Sequence, residues 1–495
     1  MMICFLLIQM LFISKINSVQ MMKAVGDEKW TQNVVEQLSP QAEEYASDVL
    51  HNDVEPIIQN VMSQNGLPGT FKFNNIDFGI IPPKLLNVKT HKKQEGNETT
   101  IIIDGELNYD GNCDLRVSLL GISSGVKDLR LFSRGRIVLK PTSKKALPFF
   151  VGGAQFYLLE TPIISFDLDG IAAVCDWPLI REKVRKELYE SINKKIVYPN
   201  RITIPLSNNV DPMKYRAFTP IGMVAVKLLS AHNLPKKGGI RSLVGQGSPD
   251  TYAEICLGAY KYKTDVKKNS QNPNWERDGY WHEFLLELFE GHRLNIRLFD
   301  EDTFSRDEFL GEVFIDLQNE FVSQGAENGQ EIKLKKNLKF NENRRSQYVI
   351  QGTITVAMRW LPLGGSNVDY TGPTELILSL FVHSCTNLVV GGNYDTTVNS
   401  YLEIKESNGP YPYKSETKED EQHPNFEYGK IFQFSRDWKK HYVDINVMDV
   451  SGFLFGGIRL TLKELASNPI KKRIKPLNMK NSAMTITLSA YVKTL

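Results

Sequence analysis

The spacing of hydrophobic residues changes along the chain and predicts a different kind of structure in each part. Residues 30–62 carry apolar side chains at helical intervals, which predicts helix with an interruption at Pro40. Between residues 71 and 169, short runs alternate apolar and polar residues, which predicts strands with one apolar and one polar face. Helical spacing returns near residue 176, with one apolar stripe formed by Ile180, Val184, Leu188 and Ile192.

The rest of the chain has only strand-like runs. Residues 219–362 and 371–495 therefore each predict an all-β domain. The segments before them, "LSNNVDPMKYRAFTP" and "LPLGGSNVDYTGP", are rich in Pro, Gly, Asn and Asp and predict linkers. The pattern thus predicts an α+β domain over residues 27–206 followed by two all-β domains.

Composition and net charge limit the kinds of molecule that the protein is expected to bind. The 495 residues are 41% hydrophobic with a net charge of only +2, so the overall balance predicts no nucleic-acid partner. The five cysteines are scattered without a C-x-x-C pair, which argues against a zinc site and a disulfide framework and suits a reducing compartment.

Residues 1–20 form a hydrophobic N-terminal segment whose apolar run covers residues 3–14. That run is shorter than the about 20 apolar residues that span a bilayer. Two interpretations stay open: the remnant of a membrane anchor, or a signal peptide cleaved near Ser18, which would make the protein secreted.

A short segment between two strand-like runs concentrates negative charge. The sequence "FDEDTFSRDEFLG" at residues 299–311, called the acidic loop here, holds five acidic side chains. Clustered carboxylates repel one another, so the acidic loop is either well solvated or binds a cation.

Two segments of the first domain carry a resemblance to a known family. The runs "NNIDFGIIPPKLLNVKTH" and "LPFFVGGAQFYLLETPIISFDLDG", followed by a helix and by "YPNRITIPL", resemble the SMP domain of the extended synaptotagmins and tricalbins. The resemblance implies a TULIP-like half-barrel with long helices and a groove for a bound glycerolipid. An ordinary hydrophobic core remains the alternative explanation of the same apolar positions. The residues expected to line the groove are Ile101, Ile103, Leu107, Val117, Leu119, Leu131, Ile137, Leu139, Phe156, Leu158 and Ile164.

The second domain resembles a C2 domain, a β-sandwich. The resemblance rests on Asn272-Pro273-x-Trp275, on Asp300-x-Asp302 and on Phe309-Leu310-Gly311. It implies a calcium site, and calcium prefers six to eight oxygen ligands. The position where the family usually has another aspartate falls at about Gly238, so a calcium-indifferent loop is the alternative. The ligands that the resemblance implies are Asp250, Asp300, Asp302, Asp307 and Glu308.

Basic residues of the same domain suggest a surface for anionic lipid. In C2 domains a basic strand face binds phosphoinositides, and Lys261 and Lys263 alternate so that both side chains lie on one side of a strand. A solvated face is the alternative. The residues of this predicted patch are Lys236, Lys237, Lys261, Lys263, Lys267 and Lys268.

The third domain resembles a degenerate C2 domain. Asn399 stands where an aspartate is expected, and only Asp395 and Asp449 remain near the loop tips, which is a poor calcium site. The shortened third loop is apolar at Phe453, Leu454 and Phe455, and it either inserts into a bilayer or packs inside the domain.

No enzyme motif stands in a suitable context. Gly121-x-Ser123-x-Gly125 matches a nucleophile elbow formally, but strand-like runs lie on both sides and predict a hairpin turn. The resemblance implies a lipid-transfer tether that docks on phospholipid membranes, homodimerises through the SMP domain and sits on the cytosolic face of the endoplasmic reticulum at contacts with the plasma membrane. The alternatives are a membrane-binding scaffold without lipid transfer and, more distantly, a C2-targeted lipase.

Overall fold

The computed structural model forms two compact units. The first unit comprises residues 1–210 with 258–260, and the second comprises residues 211–257 with 261–495. The structure describes residues 28–66, 69–95, 98–119, 122–141, 151–169, 177–206, 212–236, 247–277, 279–302, 307–323, 328–340, 349–364, 372–388, 398–476 and 484–495.

Three helices belong to the first unit: α1 at Glu28–Val49, α2 at Glu55–Gln64 and α3 at Trp177–Ile196. Contrary to the predicted interruption, α1 continues through Pro40, and the irregularity falls at the π-helical segment Leu50–Val54. Pro40 lies on the exposed side of α1, where the carbonyl that loses its partner to the missing proline N–H is accessible to solvent.

The first unit contains one eight-stranded sheet, whose longest strand, β5, pairs with four others. The order β1-β4-β5-β3-β2 forms the main path, while β6 and β7 also pair with β5, and β8 pairs with β6. The predicted run "AQFYLLETPIISFDLDG" divides into two strands around Pro162. The strands are β1 Lys72–Asp77, β2 Lys84–Glu95, β3 Glu98–Asp110, β4 Asp114–Leu119, β5 Ile122–Pro141, β6 Val151–Leu158, β7 Ile163–Asp169 and β8 Ile202–Pro205.

Helix α3 covers two separate apolar clusters of this unit. Its Val184 and Leu188 pack with residues of α2 and with Val117 of β4. Its Ile192 and Ile196 pack against a second cluster on β3, β5 and β6. The apolar stripe predicted along α3 therefore packs against both clusters. The side chain of Ile180 lies outside the described residues.

The first β-block of the second unit is one eight-stranded sheet in the order β11-β10-β13-β14-β15-β16-β9-β12. A short helix α4, Pro212–Arg216, precedes it within the predicted linker, and a π-helical segment covers Gln318–Ser323. The strands are β9 Gly222–His232, β10 Thr251–Leu257, β11 Tyr260–Lys263, β12 His282–Leu286, β13 Arg293–Asp300, β14 Glu308–Asp316, β15 Glu331–Phe340 and β16 Val349–Pro362.

The second β-block has two four-stranded sheets, β20-β17-β24-β23 and β19-β18-β21-β22. The 3₁₀ turn Trp438–Lys440 and helix α5, Leu462–Ser467, join strands at its ends. The strands are β17 Leu376–Thr386, β18 Ser400–Glu406, β19 Tyr413–Lys414, β20 Tyr428–Phe434, β21 Tyr442–Asp449, β22 Leu454–Thr461, β23 Ile470–Pro476 and β24 Thr485–Thr494.

The two β-blocks share an apolar cluster within the second unit. Met223 and Leu361 of the first block pack with Ile377 of the second. Beside this cluster, the buried Glu283 carboxylate accepts hydrogen bonds from the backbone N–H and the hydroxyl of Thr374. The two β-blocks are therefore in packed contact, although the segment that connects them has the composition of a linker.

Candidate functional site

An apolar face of the first unit collects most of the predicted groove residues. Ile101 of β3 lies opposite Leu139 of β5, and Ile103 lies opposite Ile137, so these side chains share one side of the sheet. They form one cluster with Phe156 and Leu158 of β6. All six side chains are between 1 and 8% exposed. This face, including its continuation below, is called the apolar face.

The apolar face continues toward side chains that are only half-buried. Leu107, Leu131 and Ile164 are of this kind, and Leu131 lies directly opposite Ile164 of β7. Val117 is different because it belongs to the cluster under α2, away from the other groove candidates. The side chain of Leu119 lies outside the described residues.

Two glycines lie between the packed and half-buried parts of the apolar face. Gly105 and Gly135 are directly opposite each other on β3 and β5. A Cβ added at Gly105 would lie 3.0 Å from a methyl carbon of Leu85, and one at Gly135 would lie 3.4 Å from the ring of Phe156. Neighbouring side chains therefore lean over a sheet surface that has no side chains of its own at this point.

The opposite side of the same strands buries an ion pair that sequence reasoning missed. The Arg136 guanidinium, fully buried, donates to both carboxylate oxygens of Asp104 at 2.5 and 2.7 Å. His91 of β2 lies 3.2 Å from the same carboxylate. Burial raises the pKa of Asp104, but hydrogen bonds from Arg136 and His91 outweigh it and lower the pKa to about 2. The alternation had predicted a solvated polar face here.

The acidic residues of the first C2-like block gather at one end of its sheet, where protein donors hold them. Asp300 is 1% exposed, and its carboxylate accepts from the backbone N–H of Asp250 at 2.6 Å. The Asp250 carboxylate in turn accepts from the N–H of Asn269 at 2.7 Å. Glu308 lies opposite Asp300 in the ladder and is exposed.

Asp307 is held by two donors from outside its own backbone. The Tyr252 hydroxyl donates to one carboxylate oxygen at 2.7 Å, and the N–H of Asp302 donates to the other at 3.0 Å. Burial and the bond to Asp307 both raise the pKa of Tyr252, so its hydroxyl stays a donor. The carboxylates of Asp250, Asp300 and Asp307 thus serve the local fold of the loop.

This arrangement differs from a preformed calcium site. Among the residues that the structure describes, no three potential His, Cys, Asp or Glu ligands stand together in a geometry that holds a metal ion. The five predicted ligands do supply enough carboxylate oxygens near one end of the sheet. Residues 237–246, which include Gly238, and residues 303–306 lie outside the described residues.

The Asn-Pro-x-Trp sequence supports the same end of the sheet structurally. Trp275 is 1% exposed, and its ring N–H donates to the carbonyl of Asp265 at 2.8 Å. The Asn272 side chain accepts from the N–H of Asn233 at 3.0 Å, and the Pro273 carbonyl accepts from Ala231 at 2.9 Å. The motif therefore joins the segment after β11 to β9.

The predicted lipid-binding lysines are partly neutralised by neighbouring carboxylates. Lys261 and Lys263 both lie on the exposed side of β11, as the alternation predicted. Lys261 forms an ion pair with Glu254, which also accepts from Arg297 at 2.5 Å. Lys263 pairs with Glu301 at 3.3 Å, and its ammonium stands 3.7 Å from the centre of the Tyr252 ring.

The remaining residues of the patch differ in their surroundings. Lys267 is half-buried, and its backbone N–H and carbonyl pair with Thr251. Lys236 and Lys268 are exposed, whereas Lys237 lies outside the described residues. The charge of the patch is therefore divided between ion pairs and exposed side chains.

The three apolar residues at the tip of the second β-block differ in burial. Phe455 is fully buried, whereas Phe453 and Leu454 are 41 and 43% exposed. The Asn399 side chain accepts from the N–H of Asp420 at 2.9 Å, so it has a structural role. Asp395 lies outside the described residues.

The Gly-x-Ser-x-Gly sequence lies on a hairpin. Ser123 and Gly125 belong to β5, which pairs antiparallel with β4 immediately before it, and Gly121 lies outside the described residues. The residues after the motif continue as a strand, so this stretch is not the strand-turn-helix that a nucleophile elbow requires. Within the described part of the chain, no helix combines the length and apolar character needed to cross a membrane.

Comparison with known families agrees with this architecture. The model of the synaptotagmin-like mitochondrial-lipid-binding domain, SMP, matches residues 25–207, and the C2 domain model matches residues 222–334 and 376–477. A solved structure of extended synaptotagmin 2, comprising its SMP domain and two C2 domains, aligns with a TM-score of 0.59 at 22% identity, covering 94% of this chain and 98% of that chain. The fold is therefore that of an SMP domain followed by two C2 domains.

Relatives in sequence have the same kinds of domain. Extended synaptotagmin-2 of Mus musculus is 24% identical over 482 residues, which are 94% of this chain and 54% of the relative. Extended synaptotagmin-3 of Xenopus tropicalis is 28% identical over 292 residues, which are 59% of this chain and 32% of the relative. The chain is therefore similar to the extended synaptotagmins in sequence and domain order, and it spans about half or less of the length of these relatives.

Proposed function

We propose that this protein is a tether that carries glycerolipids between membranes. In this proposal the apolar face of the first unit holds the lipid, and the C2 domains dock on anionic phospholipid. The observation that carries it is the continuity of the apolar face, which leads from a packed cluster to the half-buried Leu107, Leu131 and Ile164. Half-buried aliphatic side chains on this sheet offer an acyl chain contact area worth about 0.8 kcal/mol per buried methylene group.

Calcium would act at the first C2 domain. Asp250, Asp300, Asp302, Asp307 and Glu308 would supply its oxygen ligands, and the bound ion would attract lipid phosphate. Because Asp300 and Asp307 already accept hydrogen bonds from the protein, their carboxylates must exchange those donors for the ion. Calcium binding is therefore expected to be coupled to a rearrangement of the acidic loop.

Phosphoinositides would bind beside this site by a similar exchange. Lys261 and Lys263 pair with Glu254 and Glu301, so an inositol phosphate would compete with these carboxylates for the two ammonium groups. Exposed Lys268 adds charge without a large change in conformation. Each basic residue near an anionic surface contributes about 1 kcal/mol to attraction, so the patch supports docking without calcium.

The likeness to extended synaptotagmins supports the remaining parts of the proposal. By this likeness, the protein homodimerises through its first unit and works on the cytosolic face of the endoplasmic reticulum, at contacts with the plasma membrane. The lipase alternative loses its one sequence argument because the Gly-x-Ser-x-Gly motif lies on a hairpin. The scaffold alternative shares the fold and differs only in lipid transfer.

A two-vesicle experiment separates carrier from scaffold. Donor vesicles contain a fluorescent glycerolipid with a quencher, acceptor vesicles contain phosphatidylserine, and light scattering reports clustering while dequenching reports transfer. A carrier gives both signals with the full chain, and Leu107→Trp keeps the clustering while it slows the transfer. Clustering without dequenching for the unmodified chain would favour the scaffold and contradict the proposal.

A further inference from the structure

The loop between β1 and β2, residues 78–83, holds an apolar side chain out in solvent. Ile80 is 90% exposed, more than any other large apolar residue of the described chain, and Ile81 next to it is 42% exposed. Leu86, just beyond the loop, is 38% exposed. Single exposed apolar residues are ordinary, but three within one short segment are a candidate contact surface.

The Ile80 loop, as residues 78–83 are called here, is held by hydrogen bonds to its backbone. The Asp77 carboxylate accepts from the N–H of Gly79 at 2.7 Å, and the Asn112 side chain accepts from the N–H of Ile80 at 3.3 Å. On the other side, the Tyr109 hydroxyl donates to the carbonyl of Phe78 at 2.6 Å. Burial, followed by nearby Cys113, Glu43 and Asp77, raises the pKa of Tyr109 to about 12, so this donor keeps its proton.

Gly79 is required for this geometry. Its φ of 75° lies in the region that favours glycine, and a Cβ there would clash with the side-chain oxygen of Asn112. The loop is therefore specified by sequence in a conformation that exposes Ile80. A loop whose backbone is held by such hydrogen bonds loses less conformational entropy when its apolar side chain is buried by a partner.

The position of the Ile80 loop indicates which partner it meets. Gln32, in the first turns of α1, donates to the carbonyl of Pro83 and accepts from the N–H of Leu85, both at 3.3 Å. The loop therefore lies beside the end of α1 from which residues 1–27 lead. Those residues contain the apolar run 3–14, and residues 15–27 extend at most about 45 Å.

We propose that the Ile80 loop inserts into the surface of a lipid bilayer and docks the first unit there. An apolar run held in that bilayer would keep the loop within reach of it, which raises the effective concentration of the contact. The surroundings carry mixed charge, with exposed Lys84 on one side and Asp77 and Glu43 near Tyr109. Docking therefore rests on apolar insertion and needs no anionic lipid, unlike docking by the C2 domains. It is also independent of lipid carriage on the apolar face.

Fluorescence tests this proposal with the full chain and vesicles of pure phosphatidylcholine, with calcium chelated so that the C2 domains contribute little. The variant Ile80→Trp is compared with Tyr411→Trp, because Tyr411 is 79% exposed and lies in the other unit. We expect vesicles to shift the added emission of Ile80→Trp to the blue, and brominated lipid to quench it, while Tyr411→Trp stays unchanged. No vesicle-dependent shift for Ile80→Trp would overturn the proposal.

A second measurement uses the affinity for the same vesicles. Ile80→Asp should lower it by about tenfold, because one isoleucine no longer leaves water, whereas Ile80→Leu should keep it. Thermal unfolding should be the same in all three proteins because Ile80 makes little contact with the fold. Equal affinities would overturn the proposal. A blue shift that grows with protein concentration in the absence of vesicles would overturn it too, because a second copy of the chain would then cover the loop.

Discussion

Asp104 is a buried carboxylate that stabilises the first unit through its ion pair with Arg136. It accepts two of the hydrogen bonds that the guanidinium of the fully buried Arg136 donates. Removing one partner of a buried ion pair leaves a buried charge without compensation, which costs about 3–5 kcal/mol.

Asp104→Asn should therefore destabilise the first unit by about 3 kcal/mol. Hydrogen exchange of the amides of β3 in the full chain would measure this loss. Asp110→Asn on the same strand is the matched control, since the pair of Asp110 with Arg130 is exposed on the carboxylate side and should contribute less than about 1 kcal/mol. Equal effects of the two variants would contradict the role assigned to the buried pair.

The same carboxylate predicts how the first unit responds to acid. Its pKa in the folded protein is about 2, against an ordinary value of 3.8. A lowered pKa means that the stabilisation is complete above 3.8 and disappears as the pH falls toward 2, which amounts to about 2 kcal/mol. Acid titration of unfolding should show this loss in the unmodified chain, and Asp104→Asn should lack this part of the pH dependence.

The hydroxyl of Tyr252 is expected to oppose calcium binding. It occupies one oxygen of Asp307, so Tyr252→Phe should free that oxygen for the ion. A tenfold gain in affinity would add about 1.4 kcal/mol to the calcium-dependent stabilisation. Melting temperatures with and without calcium measure it, and Tyr280→Phe, at a residue that is 70% exposed, is the control. The same calcium shift in both variants would show that the Asp307 bond does not compete.

For single residues, the sequence pattern predicted which side of a strand is polar better than it predicted whether that side is buried. Alternation placed Asp104 and Arg136 on the polar side of their strands, but a period of two cannot tell a solvated side from one covered by other elements. The acidic loop could be recognised from its charge, whereas the donors that hold its carboxylates, the Tyr252 hydroxyl and the Asp250 N–H, come from distant positions.

Among the elements, strand β5 contributes side chains to both the packed and the half-buried part of the apolar face. It places Ile137 and Leu139 in the packed cluster and Leu131 in the half-buried part of the same face. A large side chain should therefore have different effects at different positions along the face, depending on whether the site is already filled.

Leu107→Trp should fill half-buried space and reduce uptake of a fluorescent glycerolipid by about tenfold while the chain remains folded. Val117→Trp is the contrasting variant, because Val117 is 6% exposed within the cluster under α2. It should lower the melting temperature instead. Uptake at the unmodified rate by Leu107→Trp would show that this residue does not line the lipid site.

Strand and helix types followed from periodicity, but two element-scale features did not. Helix α1 tolerates Pro40 because that position faces solvent, a fact that spacing alone leaves open. Strand β17 buries both faces, with Leu376 and Leu378 in its own core and Ile377 in the shared cluster. Its nearly unbroken apolar sequence, "LILSLF", was the available signal for a strand covered on both sides.

Across the whole molecule, the shared cluster predicts that the two C2 domains move together. Ile377 is 2% exposed in that cluster, and a charge there would be buried without a partner. Ile377→Asp should separate the two blocks, since its side chain faces away from the core of its own block. Small-angle scattering of the full chain should show a larger radius of gyration for Ile377→Asp but not for Ile377→Val. An unchanged radius would contradict a cluster that joins the blocks.

The order of three domains could be predicted from composition, periodicity and resemblance, whereas contacts between blocks could not. Linker composition reports local flexibility of the backbone and carries no information about the faces that pack on either side. The pairing of Glu283 with Thr374 joins positions that are 91 residues apart in sequence. Such long-range pairs are set by the assembled fold.

Native mass spectrometry of the purified full chain measures directly whether the first unit binds lipid. We expect the chain to carry a co-purified glycerolipid, seen as an added mass that is released on unfolding, and Leu107→Trp to carry much less. A chain free of lipid, or one whose bound lipid is the same in Leu107→Trp, would show that the apolar face does not carry lipid.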